Sequence, residues 1–259
     1  MGRSSIPDWA PYRRMSPLLW LWFVIRSTWV MTVLDNPLSW FLGFRGAQNR
    51  FDDIEGPFFL QGAPGVQVDE GQAVLSSTEL FNKFDPFLLV LEVKDTNGQP
   101  VKNAIIDTWQ ADSSGTYYFF SWTLRGKMIT DGKGRVELLT VRPGDYFSRA
   151  AHIHMRIQPA SLKHNRMTTQ TYLCTGNDPV HMSHDVANKF RPRPDGNMAI
   201  CWATEDPKDG KSYFDLPKLP QEDVDMADAI NRWNAKLKEQ GLSKNIKSVG
   251  RHQIKLTAY

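Results

Sequence analysis

The chain has 259 residues, 41% hydrophobic and 23% charged, a balance that fits a soluble globular protein and excludes a largely disordered one. Lys and Arg outnumber Asp and Glu by 31 to 28 and are scattered, so no basic block points to nucleic acid. Two cysteines, Cys174 and Cys201, are too few for a secreted disulfide scaffold and read as buried free thiols.

From the N-terminus, Arg13 and Arg14 precede an apolar run from Leu18 to Ile25 that mimics a signal peptide, but Arg26 ends the run and no small-residue cleavage site follows. The run is also shorter than the roughly 20 residues needed to span a bilayer. A cytoplasmic chain without integral membrane association is therefore expected. Ser16 and Pro17 form a good helix start and Asn36-Pro37 a good stop, which predicts a helix over Pro17 to Asp35. It is apolar nearly all round, and Leu38, Trp40, Phe41, Leu42 and Phe44 enlarge the surface that needs cover. Packing on the chain's own core and contact in a homodimer both satisfy that need, and a dimer built partly on this helix is expected.

A boundary near residue 50 follows, separating a helical segment, 1–50, from a second unit, 51–259. That unit opens on an aromatic loop, Glu55 to Pro64, bracketed by Gly and Pro. Phe87 to Val93 and Ala104 to Gln110 flank an Asp95–Gly98 turn and read as a hairpin. Short strands follow at Lys127–Thr130, Arg135–Thr140, Ala151–Ile157 and Thr168–Cys174, with Gly turns between several of them. Gln221 to Gln240 carries Val224, Ala227, Ile230, Trp233 and Leu237 at helical spacing, Gly241 ends it, and His252 to Ala258 reads as a last strand. The expected class is all-β: an antiparallel β-sandwich with an N-terminal helical segment and a C-terminal helix.

Chemistry concentrates where Arg149 is followed by His152 and His154. A strand points alternate side chains to one face, so the two imidazoles form a ready metal chelate. Upstream lie Pro143, Gly144 and Tyr146, and earlier Trp109, Gln110, Ala111, Gly115, Tyr117 and Tyr118. Two imidazoles with two phenolate oxygens favour a hard, high-valent ion such as trivalent iron. Tyr118 competes with Tyr117, but alternation aims it to the opposite side. His181 and His184 read as structural, and Asp107 and Asp112 as residues that cap or order turns.

In these motifs the chain resembles the intradiol ring-cleavage dioxygenases, in the short form of the single-domain and fungal branches, over roughly residues 51 to 175. The resemblance implies a non-haem Fe(III) held by Tyr117, Tyr146, His152 and His154, with Tyr117 and His152 retained and Tyr146 and His154 axial. It implies that Tyr146 doubles as base toward the substrate, that Arg149 stabilises charge developing on it, and that Gln170 and Phe58 face it. The substrate would be a catechol or hydroxyquinol, cleaved with O2 to a cis,cis-muconate or its hydroxylated relative. Protocatechuate 3,4-cleavage is an alternative that needs a receiver for the ring carboxylate, which the sequence does not identify. A non-catalytic transthyretin-like binding module is a further alternative, against which the complete donor set argues. Only five residues separate Tyr146 from His152, where many intracellular bacterial members of the family carry a longer insertion, so the substrate wall should differ from theirs.

Overall fold

The computed structural model describes residues 9–10, 12–34, 51–161, 165–177, 182, 184–186, 197–205 and 213–257. Ten strands lie among them: β1 (Gln67–Asp69), β2 (Gln72–Val74), β3 (Pro86–Asp95), β4 (Ile105–Gln110), β5 (Arg125–Ile129), β6 (Arg135–Val141), β7 (His152–Gln158), β8 (Met167–Tyr172), β9 (Ile200–Ala203) and β10 (Ser248–Leu256). A six-stranded sheet runs β1-β2-β6-β3-β10-β9 and a four-stranded sheet β5-β4-β7-β8. One apolar core takes side chains from both, among them Leu89 and Leu91 of β3 and Ile106, Ile153, Met155 and Ile157 of β4 and β7.

Two expectations about pairing are corrected. The 87–110 region is not a hairpin, because β3 pairs with β6 and β10 while β4 pairs with β5 and β7. The turn itself forms, with Asp95 Oδ1 accepting from Asn97 N at 2.9 Å and Gln99 N at 2.8 Å. After a single bridge from Lys94 to Pro100, however, the chain crosses to the other sheet. The six-stranded sheet is mixed rather than antiparallel, with β10 parallel to β3 and β2 parallel to β6. The connection from β9 to β10, which pair antiparallel, contains helix α3 (Val224–Glu239).

Helix α3 follows its pattern, burying Met226, Ala229, Ile230, Trp233 and Leu237 on one face, capped by Asp223 accepting from Met226 N at 3.1 Å. Trp233 Nε1 donates to the buried Glu137 of β6 at 2.8 Å, so the one polar atom of that face is satisfied. A short helix, α2 (Thr78–Lys83), was not expected. Helix α1 (Pro17–Trp29) starts at Ser16, whose side chain accepts from Leu19 N, and continues as a π-helical turn over Val30–Leu34; the predicted end at Asp35 and the patch at 38–44 lie outside the described residues. By length and composition Pro17–Leu34 is apolar enough to cross a membrane, because the run resumes after Arg26. That arginine is occupied within the chain, pairing with Glu55 and donating to Phe59 O at 2.7 Å. Phe23, Ser27 and Val30 are buried on this side, while Leu18, Trp22, Ile25 and Trp29 stay more than half exposed on the other.

Candidate active site

The register of the four-stranded sheet arranges its outer face in rows. One row runs Arg125, Trp109, His154, Gln170 across β5, β4, β7 and β8, and the next pairs His152 with Tyr172. His152 and His154 are both buried, and their Nε2 atoms lie 3.0 Å apart. His152 Nδ1 donates to Ala150 O at 2.5 Å; a carbonyl can only accept, so the proton sits on Nδ1 and Nε2 keeps its lone pair. Trp109 stacks flat on His154, with centroids 4.9 Å apart and planes 6° apart, fixing that ring.

Two loops bring the phenols to the same point. The Tyr146 hydroxyl lies 3.1 Å from His152 Nε2. Its ring stands perpendicular to that of Tyr117 at 5.3 Å, and the Tyr117 hydroxyl is buried. Tyr118 points elsewhere and donates to Asp112 Oδ2 at 2.9 Å. Asp112 orders its loop as expected, accepting from Ser114 N at 2.8 Å and Thr116 N at 3.1 Å. The loops touch at glycines: a Cβ on Gly144 would meet Ser113 O at 2.4 Å, and one on Gly115, where φ is +79°, would meet Asp145 O at 2.4 Å. Only hydrogen fits at this crossing. Phe147 and Ser148 then turn the chain, with Arg149 N donating to Tyr146 O at 2.9 Å, so the short connection places Arg149 beside the phenol.

Arg149 is the hub of a buried polar network. Its Nε donates to both oxygens of Asp185 at 3.0 and 2.9 Å, and Nη2 to Gln170 Oε1 at 2.7 Å and Tyr172 Oη at 3.2 Å. Gln170 Nε2 and Tyr172 Oη in turn donate to Asp53, at 3.0 and 3.1 Å. Burial alone would lower the guanidinium's pKa, but Tyr172, Tyr146, Asp185 and Asp53 outweigh it and raise it, so the cation is permanent. Burial and repulsion from Tyr146 push the Tyr117 phenol well above its usual range. A phenolate there requires a cation at the convergence point.

Phe58, in the 55–64 loop, packs 4.6 Å from Tyr117 and 5.1 Å from Phe119. Its carbonyl accepts from Arg125, a fully enclosed guanidinium that burial pulls down to about 10 and that lies 5.4 Å from the Phe23 ring of α1. Helix α1 is thereby fastened beside the site. Asp107 corrects an expectation: it lies inside β4, not in a turn, and burial raises it to about 6. His184 is exposed and His181 lies outside the described residues, but the same segment supplies Asp185, which was missed. Tyr172 was also missed, although it sits two residues beyond Gln170 on one strand face. Asp53 carries no local signal.

Among the described residues no three His, Cys, Asp or Glu side chains cluster at one point, so the phenols are essential to any metal reading. A protein-family model described as Dioxygenase matches residues 54–194. Chlorocatechol 1,2-dioxygenase of Rhodococcus opacus is 30% identical over 129 residues, 40% of this chain and 49% of that protein. Catechol 1,2-dioxygenase of Acinetobacter baylyi is 27% identical over 158 residues, 50% and 47% of the two chains. The chain thus spans about half the length of the curated relatives it matches. Among solved structures, 3-chlorocatechol 1,2-dioxygenase from Rhodococcus opacus superposes with a TM-score of 0.58 at 20% identity, over 92% of this chain and 87% of that one. Hydroxyquinol 1,2-dioxygenase from Pseudomonas putida gives 0.55 at 17%, over 92% and 82%. At these identities the likeness shows a shared fold.

Proposed function

The chain belongs to the intradiol dioxygenase family, and on that premise we propose that it is a non-haem iron(III) enzyme that opens a catechol-type ring between its two hydroxyls with O2. The product would be a cis,cis-muconate dicarboxylate. One observation carries the reading: two imidazole nitrogens and a phenol oxygen lie 3.0 and 3.1 Å apart in sequence, with a second buried phenol facing them. Neighbouring ligands at about 2.0–2.1 Å from one ion are spaced in this way. The donor set also suits a hard trivalent ion.

Tyr117, Tyr146, His152 and His154 would hold the iron, whose contribution is Lewis-acid chelation of the catecholate and its activation toward dioxygen. Tyr117 is enclosed and Tyr146 half-buried at the rim. Held as a phenolate by a bound ion, Tyr146 would be the ligand placed to take a proton from an arriving catechol hydroxyl and become the neutral phenol. Arg149, fixed by Asp185, aims a permanent positive charge at the ring and stabilises oxyanions formed there. Gln170, held by Asp53, adds a directional polar contact, and Phe58 forms an apolar wall.

Catechol and hydroxyquinol both suit this wall. Protocatechuate suits it less, since Arg149 is already bound to both oxygens of Asp185. A transthyretin-like binding module would have no use for four converging donors. The fold is read as an intradiol β-sandwich over 51–259, with 1–50 as a helical contact segment of a homodimer in the cytoplasm. The exposed α1 stripe of Leu18, Trp22, Ile25 and Trp29 supports that dimer. The test is the visible spectrum of the purified, iron-loaded protein. Phenolate-to-iron charge transfer should make it red-brown and should shift on adding catechol anaerobically. A protein still colourless after loading overturns the reading.

A further inference from the structure

The outer face of the four-stranded sheet continues past the donor atoms. Two residues along a strand cover roughly 7 Å, and the next row places Lys127, Asp107 and Arg156 side by side on β5, β4 and β7. Here Phe59 and Ile105 wall a cleft of about 310 Å³, whose polar lining includes this row and Arg166. Phe59 separates the cleft from the donors: its ring lies 4.9 Å from Trp109 and 5.3 Å from the Arg156 guanidinium.

Three cations face one carboxylate, an excess of two positive charges. The Lys127 ammonium stands 3.8 Å from Asp107, at the limit of an ion pair. Among the described residues Arg156 makes no hydrogen bond and no ion pair this close, and lies against the Phe59 ring. A half-buried guanidinium that among the described residues makes no hydrogen bond, set beside a second cation, has the chemistry to bind an anion.

We propose that this cleft is a second, non-catalytic binding site for a small dicarboxylate, gripped by Arg156 and Lys127 inside and by Arg166 at the rim. A dianion matches the charge excess, and an apolar stretch between two carboxylates matches the Phe59 and Ile105 walls. The choice of a dicarboxylate rests on the ring-cleavage reading, whose product carries two carboxylates; the cationic cleft stands without it. Asp107 opposes the anion and is faced by Lys127 and Arg125 from β5, Arg156 from β7 and Glu55 from the loop above. Its protonation as pH falls through about 6 removes that repulsion.

Calorimetric titration of the full-length, iron-loaded protein with cis,cis-muconate, adipate and inorganic phosphate tests the site. Both dicarboxylates should bind, phosphate at least about tenfold more weakly. Arg156→Gln should weaken dicarboxylate binding about tenfold or more, Arg156→Lys should keep most of it, and Tyr146→Phe should leave it unchanged. The Lys variant separates loss of charge from loss of fold. Absence of dicarboxylate binding, affinity indifferent to Arg156→Gln, or phosphate binding as tightly as the dicarboxylates would each overturn the proposal. Arg156-dependent binding to a protein without ring-cleaving activity would sink the enzymatic reading alone, and an active protein that binds no dicarboxylate would sink this one alone.

Discussion

The two faces of the four-stranded sheet are made by the same residues' neighbours and do opposite work. Inward, Ile106, Ile153, Met155 and Ile157 are fully buried in the common core. Outward, one position away each time, stand Asp107, Trp109, His152, His154 and Arg156. A strand's period of two keeps these sets apart. The inward set is apolar and joins the common core, while the outward face, just as buried at Trp109, His152 and His154, packs aromatic and polar side chains against the loops. The six-stranded sheet lacks this division: β3 is buried from Pro86 to Leu91 without interruption, with the core on one side and α3 covering the sheet on the other. A sheet covered on both faces has no room for a site.

If the division holds, outward substitutions should remove activity and spare the fold. Tyr146→Phe should retain iron and residual colour but lose about 10²–10⁴ in kcat, the usual worth of general-base assistance, whereas Tyr117→Phe should lose the metal itself. Iron content and single-turnover kinetics of the two variants check this, and equal effects would show that the phenols are interchangeable. Gly144→Ala should act next most strongly. Its Cβ would press on the Ser113 carbonyl and part the loops carrying the two phenols. A displacement near 1 Å can cost on the order of 10²-fold, so activity and charge-transfer intensity should fall together, and the melting temperature should fall with them because the added Cβ presses on backbone.

An inward substitution should give the mirror image. Ile153 lies between His152 and His154 in sequence but is fully buried in the core. Ile153→Ala should cost about 2–5 kcal/mol of stability, read by denaturant unfolding, yet keep the visible spectrum at temperatures where the protein stays folded. A bleached but stable variant would mean that the faces are coupled through the backbone of β7.

The same contrast decides what the sequence reveals. Inward and outward alternation over β7 and β8 is written in the residues, and so are the four donors, because each belongs to a local motif. The partners that fix the donors are not. Asp53 reaches Gln170 across 117 positions and Asp185 reaches Arg149 across 36, and no local pattern records a contact between a loop and a distant strand. The 95–98 turn misleads for a related reason: its chemistry is real, but Asx hydrogen bonds do not encode which strand the next segment will join. Strands as short as β1, β2 and β9 contain too few residues for alternation to be seen. Tyr172 alone among the missed residues was readable, from its spacing to Gln170.

The smallest expected effect concerns the one acid held within the outward face. Asp107 is nearly covered, and burial, only partly offset by Lys127, Arg156 and Arg125, raises its pKa from 3.8 to about 6. A raised folded-state value means that the folded chain binds this proton more tightly than the unfolded chain. The stabilisation is complete below pH 3.8 and is lost as pH rises through about 6. At 1.36 kcal/mol per unit the loss is at most about 3 kcal/mol, less where the cations reorganise around the new charge. Unfolding free energies of the wild type and Asp107→Asn, measured from pH 4 to pH 8, should therefore converge or cross as pH rises, because only the wild type carries the slope. Parallel curves would mean that Asp107 is ionised throughout. It would then be a full salt-bridge partner of Lys127 and Arg156 rather than a buried acid at the limit of Lys127's reach, and the outward face would be as electrically settled as the inward one.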